Sequence, residues 1–461
     1  MPTDISTGIS NTISLYNTLS RKKEAVTPRE AGKISLYVCG VTPYDALHIG
    51  HARAFLTYDV LRRVLEWQGQ QVIHVQNVTD VDDKIIARAN QLGVDALELA
   101  SRFAEEGAQE LDQLGCLRAH HYPRVTGNIE NIVAMIEVLI EKGFAYAKGG
   151  DVYFDVSKDE DYGKLSGQKV EDLQAGARIS PGDLKDDPLD FALWKAAKSG
   201  EPAWRSPWGD GRPGWHIECS AMALDILGEG FDIHGGAREL AFPHHENEVA
   251  QSESYLDGRC FAQTWWHCGE LRVNGVKMSK SLGNFVTLQE GFAKASPQVW
   301  RLLFLMTHPQ SPLDYSEDKL QQSKTSWARL TNALAEVPET SSDSDVARAF
   351  EQRFAETLMD NLNTPEALAA VFDAVSEYNR GGDAVLAGAA RRALEVLGFT
   401  FETKKVGDEL TPRLIELLIQ VRHDARERRD FKAGDQIRDE LKTLGIILED
   451  SPGGTKWKLE S

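Results

Sequence analysis

The chain has 461 residues, of which 42% are hydrophobic and 26% charged, a composition typical of a globular protein with about three domains. No apolar run is long enough to span a bilayer, so helical membrane proteins are excluded and we expect no membrane partner. The formal net charge of −19 argues against a general nucleic-acid binder. Residues 421–461 hold nine basic and nine acidic side chains, however, so the charge does not rule out RNA binding by that tail.

Cysteine usage favours a reducing compartment. The five cysteines are odd in number and show no framework of close spacings, which is not the pattern of a disulfide-stabilised protein. Residues 1–15 have neither a basic start nor an apolar core, so we expect no secretory signal and a cytoplasmic location. A cysteine with a special role is then a metal ligand or a nucleophile. The five are Cys39, Cys116, Cys219, Cys260 and Cys268.

Short apolar runs alternate with amphipathic stretches near the amino terminus. Residues 34–38 (Ile-Ser-Leu-Tyr-Val) predict a buried strand, and a helix is expected from about residue 50 to residue 67. Residues 71–78 predict the next strand, and residues 82–92 the next helix. This order predicts an α/β fold with a doubly wound parallel sheet of the Rossmann type.

An insertion interrupts this pattern. Residues 124–202 do not continue the alternation of strands and helices, and they contain one strand-like run at residues 151–154. The α/β pattern resumes with residues 231–234 and 265–273, and after about residue 293 the sequence predicts mainly helices. We therefore expect the sheet to be split by an insertion and followed by helical domains.

The motif His48-Ile49-Gly50-His51 opens the first predicted helix, at the carboxyl end of the first strand. Helix N-termini at this edge of a parallel sheet present free N–H groups that bind phosphates. Gly50 lets a nucleotide approach the backbone, and both imidazoles can donate hydrogen bonds to phosphate oxygens. Taken alone, the motif is explained equally well by two solvent-facing histidines at a helix cap.

A second motif, Lys277-Met278-Ser279-Lys280-Ser281, follows the last predicted strand. Its lysines could neutralise charge on departing pyrophosphate, although a solvated loop is the simpler explanation of a Lys/Ser-rich pentapeptide. In this order, the two motifs match the two signatures of class I aminoacyl-tRNA synthetases. We expect Mg²⁺-bound ATP to contact His48, Gly50, His51, Lys277 and Lys280, with the two histidines and two lysines as catalytic residues.

Four side chains have the chemistry of metal ligands. His244 and Glu248 lie four residues apart and share one face if their segment is helical. Cys39 follows the first strand, and Cys219 lies in another segment that could reach the same edge of the sheet. Two small buried apolar cysteines would also explain the pattern, and the spacing is not that of a zinc finger.

Five segments extend the two motifs: residues 37–42, 77–84, 213–222, 242–248 and the Lys277 loop. Together they resemble the cysteinyl-tRNA synthetase family, in the family's order, within a likeness that covers about residues 15–457. The resemblance implies one zinc ion per chain, bound by Cys39, Cys219, His244 and Glu248. It also implies a cysteine pocket lined by Thr79, Trp215 and His234.

The resemblance implies a catalytic domain in two halves around a connective insertion, then a stem-contact region, a helical bundle and an anticodon-binding tail. Polar residues 338–345 and 404–408 would be linkers. The expected boundaries, in that order, are 1–123 and 204–292 for the halves, 124–203 for the insertion, then 293–340, 346–403 and 409–461.

The tail would read the anticodon with Arg426, Phe431, Asp435 and Asp450, which match the family's positions. Arginines beside an aromatic ring suit stacking and phosphate contact with unpaired bases, and acidic groups can accept from base amino groups. A solvated charged helix face accounts for the arginines as simply.

One position departs from the family. Where the family often has Gly-Gly-Gly-x-Asp-Leu before Phe-Pro-His-His, residues 235–240 read Gly-Gly-Ala-Arg-Glu-Leu. Glu239 keeps the negative charge but is one methylene longer than aspartate, so the role of this position in the pocket is open.

The implied reaction joins L-cysteine to tRNA(Cys) through a cysteinyl-adenylate, with the enzyme acting as a monomer. Zinc prefers a soft thiolate to a hydroxyl, so it would separate cysteine from serine without an editing site. One alternative is a cysteine ligase of the mycothiol pathway, which lacks the anticodon tail. Another is a non-catalytic tRNA-binding paralogue, which we would expect to have lost a histidine or lysine of the nucleotide motifs.

Overall fold

A computed structural model shows two compact units, Met1–Thr400 and Phe401–Ser461. No helix in the described part of the chain is long and apolar enough to cross a membrane. The structure describes residues 12–169, 184–278, 283–337, 344–401, 410–444, 446–451 and 454–459.

A four-stranded parallel sheet forms the centre of the first unit, which confirms the predicted doubly wound fold. Its strands are largely buried, because helices cover the faces of a parallel sheet. In spatial order the strands are Ala262–Cys268, Phe231–Ala237, Lys33–Val38 and Gln71–Gln76. The chain winds outward in both directions from the two middle strands, so a crevice opens at their carboxyl ends, where ligands bind in such folds.

Helices and one hairpin complete this part of the unit. The hairpin pairs Ser14–Asn17 with Lys22–Ala25. The α-helices up to residue 255 are Ile49–Trp67, Asp83–Leu92, Ala96–Gln113, Ile129–Glu141, Trp215–Leu227 and Glu246–Tyr255, and short helical turns occur at Val125–Gly127, Val156–Lys158, Arg238–Leu240 and Ala241–His245.

The insertion contributes three strands to an antiparallel sheet, of which the sequence indicated only the strand at 151–154, and the fourth strand lies beyond the expected boundary at residue 203. The four strands, in spatial order, are Ala145–Lys148, Asp151–Phe154, Phe191–Ala196 and Gly211–Pro213. The last strand passes through Gly214 into the helix Trp215–Leu227, which carries Trp215 and Cys219. A Cβ atom at Gly214 would lie 1.8 Å from the carbonyl oxygen of Ala192, so only glycine allows this close turn.

In the segment 265–273, where the α/β pattern was expected to resume, the structure has two strands separated by Gly269 and Glu270. Arg53, which is only 1% exposed, donates hydrogen bonds to the carbonyls of both residues and to that of Ser311. A separate small sheet begins after the break and ends next to the Lys277 loop. Its strands are Leu271–Val273, Val276–Lys277 and Leu313–Tyr315.

The remainder of the first unit is helical, as the sequence predicts. Its helices are Leu288–Lys294, Pro297–Leu305, Glu317–Leu334, Asp345–Met359, Thr364–Gly381 and Ala384–Val396. Asn363 caps the helix Thr364–Gly381 by accepting a hydrogen bond from the Glu366 amide.

The second unit combines two helices, Leu410–Glu427 and Phe431–Thr443, with an antiparallel hairpin of Ile446–Ser451 and Gly454–Leu459. The helices were predicted and the hairpin was not. The small core of this second unit consists of Ile415, Leu441, Ile446 and Leu448.

Candidate active site

The first nucleotide motif forms the N-terminus of the helix Ile49–Trp67. His48 is the N-cap, and its Nδ1 accepts hydrogen bonds from the amides of Gly50 at 3.1 Å and His51 at 3.2 Å. Because Nδ1 accepts, the proton of a neutral His48 lies on Nε2. A Cβ atom at Gly50 would lie 2.9 Å from the His48 ring, so this motif requires glycine.

The two histidines of this motif stack, with ring centroids 3.6 Å apart. Burial, together with the neighbouring His48 and Lys84, holds the pKa of His51 well below its usual value. A neutral His51 offers one donor and one acceptor, which suits a hydrogen bond to a phosphate oxygen.

The start of the second motif lies over the first. The Met278 methyl is 3.4 Å from the position that a Cβ of Gly50 would take. Lys277 forms an ion pair of 2.6 Å with Glu239, which raises the pKa of Lys277. The structure thus gives Glu239, the departure from the family pattern, a lysine of the nucleotide motif as its partner. Lys280 lies outside the described residues.

The four expected metal ligands gather at the carboxyl edge of the sheet. Their donor atoms all lie within 4.8 Å of one another, and all four residues are buried. The two sulfur atoms, of Cys39 and Cys219, are 3.7 Å apart, and Cys39 Sγ lies 3.5 Å from Glu248 Oε1. His244 Nε2 lies 2.9 Å from the same Glu248 oxygen. Two thiolates on tetrahedral zinc would be about 3.8 Å apart, so this donor set fits zinc in both chemistry and spacing.

Electrostatics within the cluster favour an anionic Glu248 and Cys219, which can bind a cation, but also a protonated His244 and a neutral Cys39 thiol, each of which must lose a proton before it can bind one. Burial by itself raises the pKa of Glu248, but His234 and His244 hold it well below the usual range. Burial likewise raises the pKa of Cys219, whereas hydrogen bonds with Cys39 and His244 lower it to about 6. Burial lowers the pKa of His244, yet Glu248 and Cys219 raise it to about 10.

A second donor set overlaps the first. Cys39 and Glu248 also lie within 4.8 Å of donor atoms of His234 and His245. His234 Nε2 lies 2.8 Å from Glu248 Oε2, and its Nδ1 is buried without a hydrogen-bond partner among the described residues. The geometry alone therefore offers two ways to complete a metal site around the same thiolate and carboxylate.

The three residues expected to line the cysteine pocket surround this cluster. The Trp215 ring stacks on His244 with centroids 4.4 Å apart, and His234 contacts Glu248 directly. The Thr79 hydroxyl lies 3.1 Å from a carboxyl oxygen of Glu218, the neighbour of Cys219. The structure therefore brings the expected pocket and the expected metal ligands together.

Two residues that sequence reasoning did not assign also belong to this site. His216 Nδ1 lies 3.0 Å from His244 Nδ1, and so orients that imidazole. The Lys84 ammonium lies 5.8 Å from the Tyr44 ring and 5.9 Å from the Trp215 ring, between the cysteine pocket and His51. Both residues fall in segments that carry the resemblance, which was the signal available for them.

The four expected anticodon residues differ in their surroundings. Phe431 is 55% exposed and Asp435 is also exposed, one turn further along the same helix. Arg426 lies 3.7 Å from Asp450, but Arg422 donates two shorter hydrogen bonds to that carboxylate, of 2.9 and 2.7 Å. Phe431 and Asp435 are thus open to a partner, whereas Asp450 already binds an arginine.

Three family models match the chain. The tRNA synthetase class I (C) catalytic domain matches residues 25–325, the DALR domain residues 353–403, and the cysteinyl-tRNA ligase anticodon binding domain residues 408–457. The chain belongs to the cysteinyl-tRNA synthetase family. It is therefore a class I aminoacyl-tRNA synthetase by family, as its sequence motifs predict.

Relatives and solved structures agree with this family. The cysteine–tRNA ligase of Thermococcus onnurineus is 48% identical, and the alignment covers 97% of this chain and 99% of the relative. That of Azotobacter vinelandii is 47% identical with the same coverage of both chains. A methionyl-tRNA synthetase of Mycobacterium tuberculosis matches with a TM-score of 0.57 at 15% identity, over 79% of this chain and 89% of that one, and so shows the shared fold.

Proposed function

We propose that the chain is a cysteine–tRNA ligase, which activates L-cysteine with ATP and transfers the cysteinyl group to the 3′ end of tRNA(Cys). The observation that carries this proposal is the buried cluster of two cysteines, a histidine and a glutamate beside a nucleotide motif, in a chain of this family. Working as a monomer in the cytoplasm is part of the same proposal.

In the first step, a carboxylate oxygen of cysteine attacks the α-phosphorus of Mg²⁺-bound ATP, and the bond to pyrophosphate breaks. In the second step, a ribose hydroxyl of the terminal adenosine attacks the cysteinyl carbonyl, and AMP leaves. His48 and His51 donate to phosphate oxygens, and Lys277 and Lys280 balance the charge of the pyrophosphate. Catalysis consists of positioning and charge stabilisation, with no protein nucleophile.

The buried cluster would hold one zinc ion through Cys39, Cys219, His244 and Glu248. A zinc ion held there would supply a preference for a soft thiolate over a hydroxyl, which would distinguish cysteine from serine. Trp215 packs against the ligand His244, and it would close the pocket over the substrate side chain. The remaining expected pocket residues are Thr79 and His234.

The tail would bind the anticodon of tRNA(Cys). The exposed Phe431 ring is available to stack on an unpaired base. Arg426 would contact phosphate, with Asp435 and Asp450 at base edges. The match of residues 408–457 to an anticodon binding domain disfavours a mycothiol-pathway ligase. The presence of His48, His51 and Lys277 argues against a non-catalytic paralogue, which we would expect to have lost one of these residues.

The decisive experiment is aminoacylation of total tRNA with each amino acid in turn, paired with pyrophosphate exchange in the absence of tRNA. We expect exchange with cysteine alone and charging of a single tRNA species. Exchange without charging would favour a ligase that acts on another acceptor, and tRNA binding without exchange would favour a non-catalytic paralogue.

A further inference from the structure

A series of hydrogen bonds runs from the metal cluster to the amino-terminal hairpin. His245 Nε2 lies 3.3 Å from Cys39 Sγ, and His245 Nδ1 lies 2.8 Å from His267 Nε2. His267 Nδ1 lies 2.8 Å from the Thr18 hydroxyl. These four residues are at most 6% exposed. A threonine in the turn of the hairpin is thus connected to a candidate metal ligand through two imidazoles.

The three hydrogen bonds of this series can be arranged in only two ways: all are donated towards Cys39, or all are donated towards Thr18. A neutral imidazole has one N–H group and one bare nitrogen, so each histidine donates at one end and accepts at the other. Burial, with the positive charge of Arg238, lowers the pKa of His267 to about 3, so this imidazole is neutral at pH 7.

A metal-bound cysteine selects one direction. The thiolate of Cys39 accepts hydrogen bonds and has no proton to donate. His245 must then donate from Nε2, and its Nδ1 must accept from His267. The Nδ1 of His267 is left to accept, so Thr18 donates its hydroxyl proton. The hydroxyl at the far end therefore completes the direction that the thiolate selects, by donating to His267.

We propose that Thr18 and His267 are positioning residues of the metal site, which hold His245 as a hydrogen-bond donor to Cys39. The inference rests on the proposed role of Cys39 as a ligand. Hydrogen bonds to a ligating atom orient it and tune the affinity for the metal.

The test uses the full-length protein loaded with Zn²⁺ or with Co²⁺. Thr18→Val removes the hydroxyl and keeps the branched shape of the side chain. We expect its zinc affinity, measured by competition with a chromophoric chelator, to fall about tenfold. Residues that support metal ligands through hydrogen bonds typically change the metal affinity about 10- to 100-fold when replaced, and this is the lower end of that range. The thiolate-to-cobalt absorption band should also shift, because the hydrogen bond from His245 to the Cys39 sulfur is no longer held in place by Thr18 through His267. Thr18→Ser, which retains the hydroxyl, should restore both readouts.

Thr57→Val is the matched control. Thr57 is 4% exposed, as is Thr18, and its hydroxyl donates to the Arg53 carbonyl at 2.9 Å, within the helix Ile49–Trp67. The substitution removes a buried hydroxyl of the same kind without touching the series. Its zinc affinity and its cobalt band should equal those of the unaltered protein.

Unchanged affinity and an unchanged band in Thr18→Val would overturn the inference, as would equal losses in Thr18→Val and Thr18→Ser. If Thr18→Val does not fold, His267→Gln decides by the same two readouts: a shift supports the inference and no shift overturns it. An unaltered protein that binds no zinc would instead refute the proposed metal site, so the two failures are distinguishable.

Discussion

Replacing Glu239 by glutamine should strengthen the binding of ATP. The Lys277 ammonium lies 2.6 Å from the Glu239 carboxylate, and the two side chains are 67% and 52% exposed. An ion pair this exposed contributes about 0.2–1 kcal/mol. If Lys277 must leave Glu239 to meet the phosphates, Glu239→Gln should lower the KM for ATP by up to about fivefold, since 1.4 kcal/mol corresponds to a factor of ten. The effect should shrink as salt concentration rises, because solvent ions screen exposed charges.

The assay is cysteine-dependent pyrophosphate exchange at varied ATP concentrations. Glu229→Gln is the control, because Glu229 forms a comparably exposed pair with Arg259 and lies in no predicted site. Its KM should not change. A KM for Glu239→Gln that is equal to or higher than that of the unaltered enzyme would refute the competition between Glu239 and the nucleotide. It would mean that the pair holds Lys277 in its working position.

Cys219→Ser should reduce bound zinc below one equivalent and narrow the preference for cysteine over serine; unchanged metal content by elemental analysis would refute its role as a ligand. Phe431→Ala should raise the KM for tRNA about fivefold or more, since stacking on a base contributes about 1–3 kcal/mol. Phe431→Trp and pyrophosphate exchange should stay near normal, and a parallel loss of exchange would contradict a role confined to the tail. Burial, with the charges of Arg62 and His120, lowers the pKa of His74 from 6.5 to about 3. The unfolded chain therefore takes up a proton as the pH falls below 6.5 while the folded protein does not, so stability is lost in that window, by about 2 kcal/mol between pH 7 and pH 5. His74→Gln should flatten this part of the pH profile of urea unfolding, and an unaltered slope would contradict it.

Local patterns predicted much of the catalytic sheet and of the site. The apolar run at 34–38 and its distance from the next helix were enough to place Cys39 at the edge where ligands bind. The four-residue spacing of His244 and Glu248 predicted a shared face, and in the structure these side chains lie 2.9 Å apart. Such inferences succeed because helix and strand periodicities act over a few residues.

Contacts between distant segments could not be predicted in this way. The carbonyl of Gly269, at the break between two strands, accepts a hydrogen bond from Arg53, which is 216 positions away in sequence. Thr18 meets His267 across 249 positions, and nothing in the hairpin distinguishes this threonine from a surface one. The hairpin of the tail was not predicted, because each of its six-residue strands carries two charged side chains, which weakens the apolar pattern that marks a strand.

The order in which the cluster's donors appear along the chain has a consequence for synthesis. Cys39 and Glu248 are separated by 209 positions, and the second thiol and the imidazole lie between them. At roughly 5–20 residues per second, the final donor leaves the ribosome about 10–40 s after the first. Throughout that interval Cys39 is a thiol without its partners, exposed to oxidants and to competing ions. If the cluster binds zinc as proposed, metal uptake is an event of the second half of translation, and metal content in a nascent-chain series should rise in one step once the helix Glu246–Tyr255 has emerged.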